Sequence, residues 1–171
     1  KALGCVGKNT VIVHGVGMTA EDEWDAKIHG AWVALCPSTN HFLLNRTLLQ
    51  ESTYMRSNLM LGSDSRLTSD GDFLDEIGSF SKEFPEFTDS RLLNMIAWST
   101  AIKLSVLGNW RLNPLADSTI ADFVAIKVDF ESDDPIPLSH LKRSDLALVV
   151  YNGIPRIGDS EVMSKFADID T

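Results

Sequence analysis

The first hundred or so residues alternate short apolar runs with helical patterns, and that alternation limits the fold more than any other feature. Thr10–Val13 (TVIV) is a β-branched run that ends at His14-Gly15. Thr19 then stands as a helix N-cap, with Asp22 in the capping-box place three residues on. Trp24 and Ile28 share one face of that helix, and Gly30 stops it. Ala31–Leu35 (AWVAL) is a second apolar strand, closed by Cys36-Pro37. A helix is expected around Leu48–Arg56, followed by a third strand, Asn58–Leu61, closed by Gly62-Ser63-Asp64. Phe73, Leu74, Ile77 and Phe80 recur at helical spacing. A longer helix is expected from Asp89 to Leu107, with an apolar stripe of Leu92, Leu93, Ile96, Thr100, Leu104 and Leu107 and a stop at Gly108. Strands that alternate with helices in this way run parallel and are covered by those helices. Three such strands leave two open edges, so further strands or a second copy must pair with them; an oligomer is expected.

After Gly108 the pattern changes. Trp110–Asp122 is loop-like, with Pro114, whereas Ala121–Val128 and Ala147–Tyr151 read as strands. Asn152-Gly153 is a strong turn signal, and the polar stretch between the strands holds Pro135 and Pro137. The residues from Asp159 to Thr171 are weakly patterned and are expected to fray.

Composition excludes some classes. A net charge of −9 disfavours nucleic acid, which needs a basic face. No apolar run approaches the roughly 18 residues of a membrane span. The acidic clusters at Glu21–Asp25 and Glu131–Asp134 read as solvated surface. Two cysteines, Cys5 and Cys36, without metal spacing suit a reduced, cytoplasmic setting. The N-terminus lacks a signal-peptide pattern and reads as a chain entered within a domain.

In βα-barrels, functional side chains sit where strands end. Three strand ends are legible: His14 in VIVHGVGMTAED, the segment CPSTN from Cys36 to Asn40, and LGSDS from Leu61 to Ser65 with Asp64. A polar group directly after a buried strand costs free energy unless it is paired. A histidine and an aspartate so placed are candidates for metal or proton chemistry, although either alone is more often a structural histidine or a helix cap.

These residues resemble the amidohydrolase superfamily, in the branch of cytosine deaminase, guanine deaminase and the triazine hydrolases. The resemblance is carried by His14-Gly15 followed by TAED, by CPSTN and by LGSDSRLTSDGDFLDEI from Leu61 to Ile77. It continues through the helix Leu92–Leu107, the return strand STIADFVAI from Ser118 to Ile126 and the closing VVYNGIP from Val149 to Pro155, so it covers about residues 9 to 157. It implies an α/β fold: the C-terminal part, about strands 6 to 8, of a metal-dependent hydrolase (β/α)8 barrel over residues 1–108, and C-terminal strands of a small β-sandwich over 109–171. It implies hydrolysis of non-peptide C–N bonds by a metal-activated water. Asp64 would be the eighth-strand metal ligand and proton acceptor. His14 would be the sixth-strand histidine facing the substrate, with Asn40, Ser65 and Arg66 near the pocket. An ion pair between Arg66 and Asp70, Asp72 or Asp75 is an equal alternative. A zinc or iron ion and a nucleobase-like or amidine-like substrate would be the partners of the full-length enzyme.

The sequence departs from the family pattern. Leu35 and Gly17 stand where many relatives have histidine, and the usual glycine before the return strand is missing. Neither the first-strand His-x-His nor the fifth-strand His-x-x-Glu is present; the other histidines are His29, His41 and His140. His29 and His140 read as surface residues, and His41 as a minor candidate for a pocket lining. Trp24, Trp32, Trp98 and Trp110 read as packing rather than as an aromatic cage. One carboxylate cannot hold a catalytic zinc that wants three or four protein donors. The chain alone is therefore expected to be an inactive fragment binding no metal. A non-catalytic binding or assembly domain that retains a half-barrel stays open, as does an unrelated α/β domain.

Overall fold

The computed structural model describes residues 4–48, 58–108, 121–127 and 136–166. The first strand β1 (Val11–Val13), the second β2 (Trp32–Leu35) and the third β3 (Leu59–Leu61) form a parallel sheet in the order β1-β2-β3. Val13 lies level with Ala34, and Ala34 with Met60. Helix α1 (Ala20–Ile28) joins β1 to β2 and starts as its sequence dictates. Thr19 Oγ1 accepts from the Asp22 amide at 3.2 Å, and the Asp22 carboxylate accepts from the Thr19 amide at 2.9 Å. Gly30, at φ +74°, then turns the chain into β2.

One face of the sheet builds the core. Val33 and Leu35 of β2, with Leu59 and Leu61 of β3, pack against helix α3 (Phe73–Glu83) and helix α4 (Asp89–Leu93). Phe80, Phe84 and Phe87 cluster there with ring centroids 4.8–6.1 Å apart, the tilted and edge-on spacing that aromatic quadrupoles favour. Trp24 and Ile28 do share one face of α1, but it is an exposed one; Val13, Phe42, Leu43 and Leu44 are also exposed.

Two elements differ from the sequence reading. Pro37–Leu44 is a helix, α2, where CPSTN is read only as the end of the second strand. Pro37 occupies its first turn, where a missing N–H costs nothing. The helix expected around Leu48–Arg56 lies, but for Leu48, outside the described residues. The long helix is also not a uniform stripe. Alpha-helix α4 passes through a wider π turn, Asn94–Trp98, before helix α5 (Ser99–Gly108), with the Ser99 amide bonded to the Asn94 carbonyl. Along this segment Leu92, Met95 and Lys103 are buried, whereas Leu93, Leu104 and Leu107 are exposed.

The later part forms an antiparallel sheet, β4 (Phe123–Ile126), β5 (Leu146–Tyr151) and β6 (Ile154–Gly158), in that order. Asn152 and Gly153, at φ +53° and +73°, make the tight turn between β5 and β6 that the dipeptide predicts. A short helix α6 (Ser160–Ser164) follows, and the end from 167 lies outside the described residues, as do Trp110, Pro114 and the cluster Glu131–Asp134. Leu138 packs onto the first core, and Arg143 pairs with Asp72 at the start of α3. No described helix is long and apolar enough to cross a membrane.

Candidate active site at the strand ends

His14 directly follows β1, and its amide continues the ladder by donating to the Ala34 carbonyl at 2.9 Å. The chain then turns sharply: the Gly15 amide donates back to the Val13 carbonyl at 2.9 Å, and both residues have left-handed backbones, φ +69° at His14 and +67° at Gly15. Gly15 is required here. A Cβ would meet Val33 Cγ1 at 3.1 Å and Leu48 Cδ1 at 3.3 Å. At the end of β3 the Gly62 amide donates to the Leu35 carbonyl at 2.7 Å, and two residues later Asp64 also adopts a left-handed backbone, φ +51°. A histidine and an aspartate in this conformation each carry strain of the kind that gathers at functional sites.

The two side chains converge. His14 Nε2 lies 3.8 Å from Asp64 Oδ2, and both side chains are about one-third exposed, at 35% and 36%. Asn40, in the first half of α2, is buried and lies 2.8 Å from His14 Nδ1 through its Oδ1. Its amide nitrogen donates to Thr47 Oγ1 at 3.2 Å. Asn40 is thus held against His14 rather than turned to open space. Ser65 uses its hydroxyl to accept from the Leu67 amide at 3.2 Å, and its carbonyl accepts from Thr68 and Ser69. It shapes the turn that carries Asp64. Arg66 is exposed beyond that turn. Of the three acids read as its alternative partners, Asp72 is paired with Arg143, and Asp75 accepts from the Asp72 amide. His41 faces Glu83 at 2.8 Å, away from the pair at the rim.

Sequence reasoning misses what organises this rim. Three consecutive residues at the start of α2 are buried, and each ties down a different element. Ser38 donates its amide to the Glu76 carboxylate of α3 at 3.0 Å, and its hydroxyl also bonds that carboxylate. The Thr39 hydroxyl meets that of Thr68, just beyond Asp64, at 2.9 Å. Asn40 holds His14. The buried Glu76 thus supplies negative charge at the positive end of α2. A proline directly after a strand was the available signal for this helix. Cys36, at the head of α2, has its thiol pushed up to about 11 by burial first, then by the negative charges of Asp64 and Glu76. It stays protonated and unreactive at neutral pH.

The rim can offer a carboxylate and an imidazole to one reacting atom. Among the described residues no group of three or more His, Cys, Asp or Glu is placed to hold a metal ion. Asp64 and His14 are two donors, short of the three or four that a zinc site takes from protein, so the described residues do not by themselves fit the ion.

No family model matches the sequence, and no curated protein matches it. Solved structures do match. The chain superposes on the E. coli guanine deaminase with a TM-score of 0.73 at 15% identity, over 92% of this chain and 41% of that one. An adenosine deaminase from Xanthomonas campestris with bound zinc gives 0.71 at 19% identity, over 96% and 42%. The fold is that of part of an amidohydrolase. The atrazine chlorohydrolase TrzN from Arthrobacter aurescens TC1, complexed with zinc, gives 0.65 at 19% identity over 93% and 40%. The chain thus spans about two fifths of the length of the amidohydrolases it matches. The family resemblance carried by HG, CPSTN and LGSDS agrees with this fold.

Proposed function

We propose that this chain forms the C-terminal part, about strands 6 to 8, of a metal-dependent (β/α)8 amidohydrolase that hydrolyses non-peptide C–N bonds, of the deaminase or chlorohydrolase type. Residues 1–108 would be its barrel segment and 109–171 its sandwich segment. The observation that carries the reading is the approach of His14 Nε2 to Asp64 Oδ2, 3.8 Å apart where parallel strands end. Asp64 would ligate the metal and accept a proton, and His14 would face the substrate and stabilise charge that develops on it. Ser65 and Arg66 would border the pocket. A bound zinc or iron would supply water ionised near neutral pH. Further donors would be needed to complete its coordination, and this chain alone would be inactive. The substrate would be a nucleobase-like or amidine-like small molecule, and the setting cytoplasmic. The exposed Val13, Trp24 and Ile28 would be covered by further strands or by a second copy, the latter giving a homo-oligomer.

The test is ammonia release by the product of the complete gene over a panel of nucleobases and amidines, before and after removal of metal with a chelator. Metal-dependent release supports the reading. A fully metal-loaded protein that hydrolyses none of them overturns it. A second reading, a binding or assembly domain that keeps the half-barrel, is favoured by one observation: no three-donor group occurs among the described residues.

A further inference from the structure

We infer that Asn40 is a positioning residue that fixes which nitrogen of His14 carries the proton. The amide of Asn40 is buried at 1% exposure, with Thr47 Oγ1 at its nitrogen and His14 Nδ1 at its oxygen. Its nitrogen donates to Thr47 Oγ1 at 3.2 Å, which leaves Oδ1 as the only group it can present to His14. Oδ1 is an acceptor, 2.8 Å from Nδ1, so Nδ1 must donate. In the neutral ring Nε2 is then the basic nitrogen, and it is the one directed at Asp64. This is the tautomer that free histidine disfavours in water. The opposite one requires the amide to be reversed, with the Thr47 hydroxyl donating to Asn40.

The arrangement is built into the fold. Asn40 neighbours Ser38 and Thr39 in the first turns of α2, and those two bind α3 and the turn after Asp64. That anchoring fixes where α2 carries Asn40 against His14. The effect is to leave two electron-pair donors, Nε2 and a carboxylate oxygen, facing one space 3.8 Å across. A proton, a hydrogen-bond donor of the substrate or a cation fits between them. This functional sense rests on the amidohydrolase reading, whereas the tautomer itself does not.

The experiment is a long-range proton–nitrogen correlation spectrum of the chain labelled with 15N-histidine, at about pH 8, where an ordinary imidazole is neutral. His14 is assigned from the signals missing in His14→Gln. The expected result is a protonated Nδ1 and an unprotonated Nε2 at His14. Asn40→Asp, which keeps an acceptor in place, should preserve that pattern, and Asn40→Ala should shift His14 toward the Nε2-protonated form. An Nε2-protonated His14 in the unaltered chain overturns the inference. So does an unchanged Nδ1-protonated ring in a folded Asn40→Ala variant. Neither readout uses substrate or metal, so loss of the amidohydrolase reading would leave the tautomer result standing, and the reverse also holds.

Discussion

The two ends of the parallel sheet treat their polar groups in opposite ways. At the N-terminal end, Lys103 reaches in from α5, is only 4% exposed, and gives its ammonium to the carbonyls of Lys8 and Gly30, just ahead of β1 and β2. Its charge also stands 5.7 Å from the centre of the Trp32 ring. Burial lowers its pKa, and the carbonyls and the ring give the charge its partners. At the C-terminal end, His14 and Asp64 keep left-handed backbones and remain half open, with Nε2 and Oδ2 still able to take a partner. One end closes its hydrogen bonds and secures the strands, while the other leaves strained polar groups partly open to solvent. Under the proposed reading, that division would match a βα-barrel, with stability at the bottom and chemistry at the top.

The comparison can be broken at either end. The largest effect is expected at the rim. In the product of the complete gene, Asp64→Asn should lower kcat/KM by about 10²- to 10⁴-fold, the range of a positioned acid or base, with the urea midpoint little changed because asparagine tolerates the same left-handed backbone. Ammonia release and urea unfolding measured side by side check this. At the opposite end the pattern should invert. Lys103→Met leaves the Lys8 and Gly30 carbonyls without their donor and should cost about 1–3 kcal/mol by urea unfolding, while the His14 tautomer is unaffected.

Gly15→Ala sharpens the contrast, because this position joins strand to rim. A left-handed alanine costs about 1–2 kcal/mol, and its Cβ would press on Val33 and Leu48, so a clear loss of thermal stability is expected. The smallest effect lies away from both ends, at the N-cap of α3. Burial tends to raise the Asp72 carboxyl, but Arg143 and the amides of Asp75 and Leu74 outweigh it and hold it below its ordinary value of 3.8. A depressed acid stabilises the fold above its unfolded pKa, and that contribution fades as pH falls through the lower, folded value. Asp72→Ala should cost roughly 1 kcal/mol at neutral pH, mainly from the lost cap, with the difference narrowing in strong acid.

Much of the parallel sheet is legible in the chain. Thr19 with Asp22, the run AWVAL and the stop at Gly30 each act locally, and local rules read them correctly. His14 and Asp64 are legible because polar residues at strand ends stand out against apolar runs. Helix α2 is not, because Cys36-Pro37 serves equally as a strand terminator and as a helix start, and only packing against α3 decides between them. The burial of Lys103 in place of Leu104 goes with the Lys8 and Gly30 carbonyls that its ammonium meets, contacts far apart in the chain that no hydrophobic period announces. The role of Asn40 depends on Thr47 and His14 together, contacts seven and 26 residues apart in the chain.

The central claim is that the Asp64 carboxylate belongs to a metal-holding rim. It is tested most directly by the metal content of the complete gene product, compared between the unaltered protein and Asp64→Asn. The account predicts about one zinc or iron per chain in the former and a large loss in the latter, with the fold retained. Equal metal in both proteins, or none in the unaltered protein after loading with zinc or iron, would contradict it.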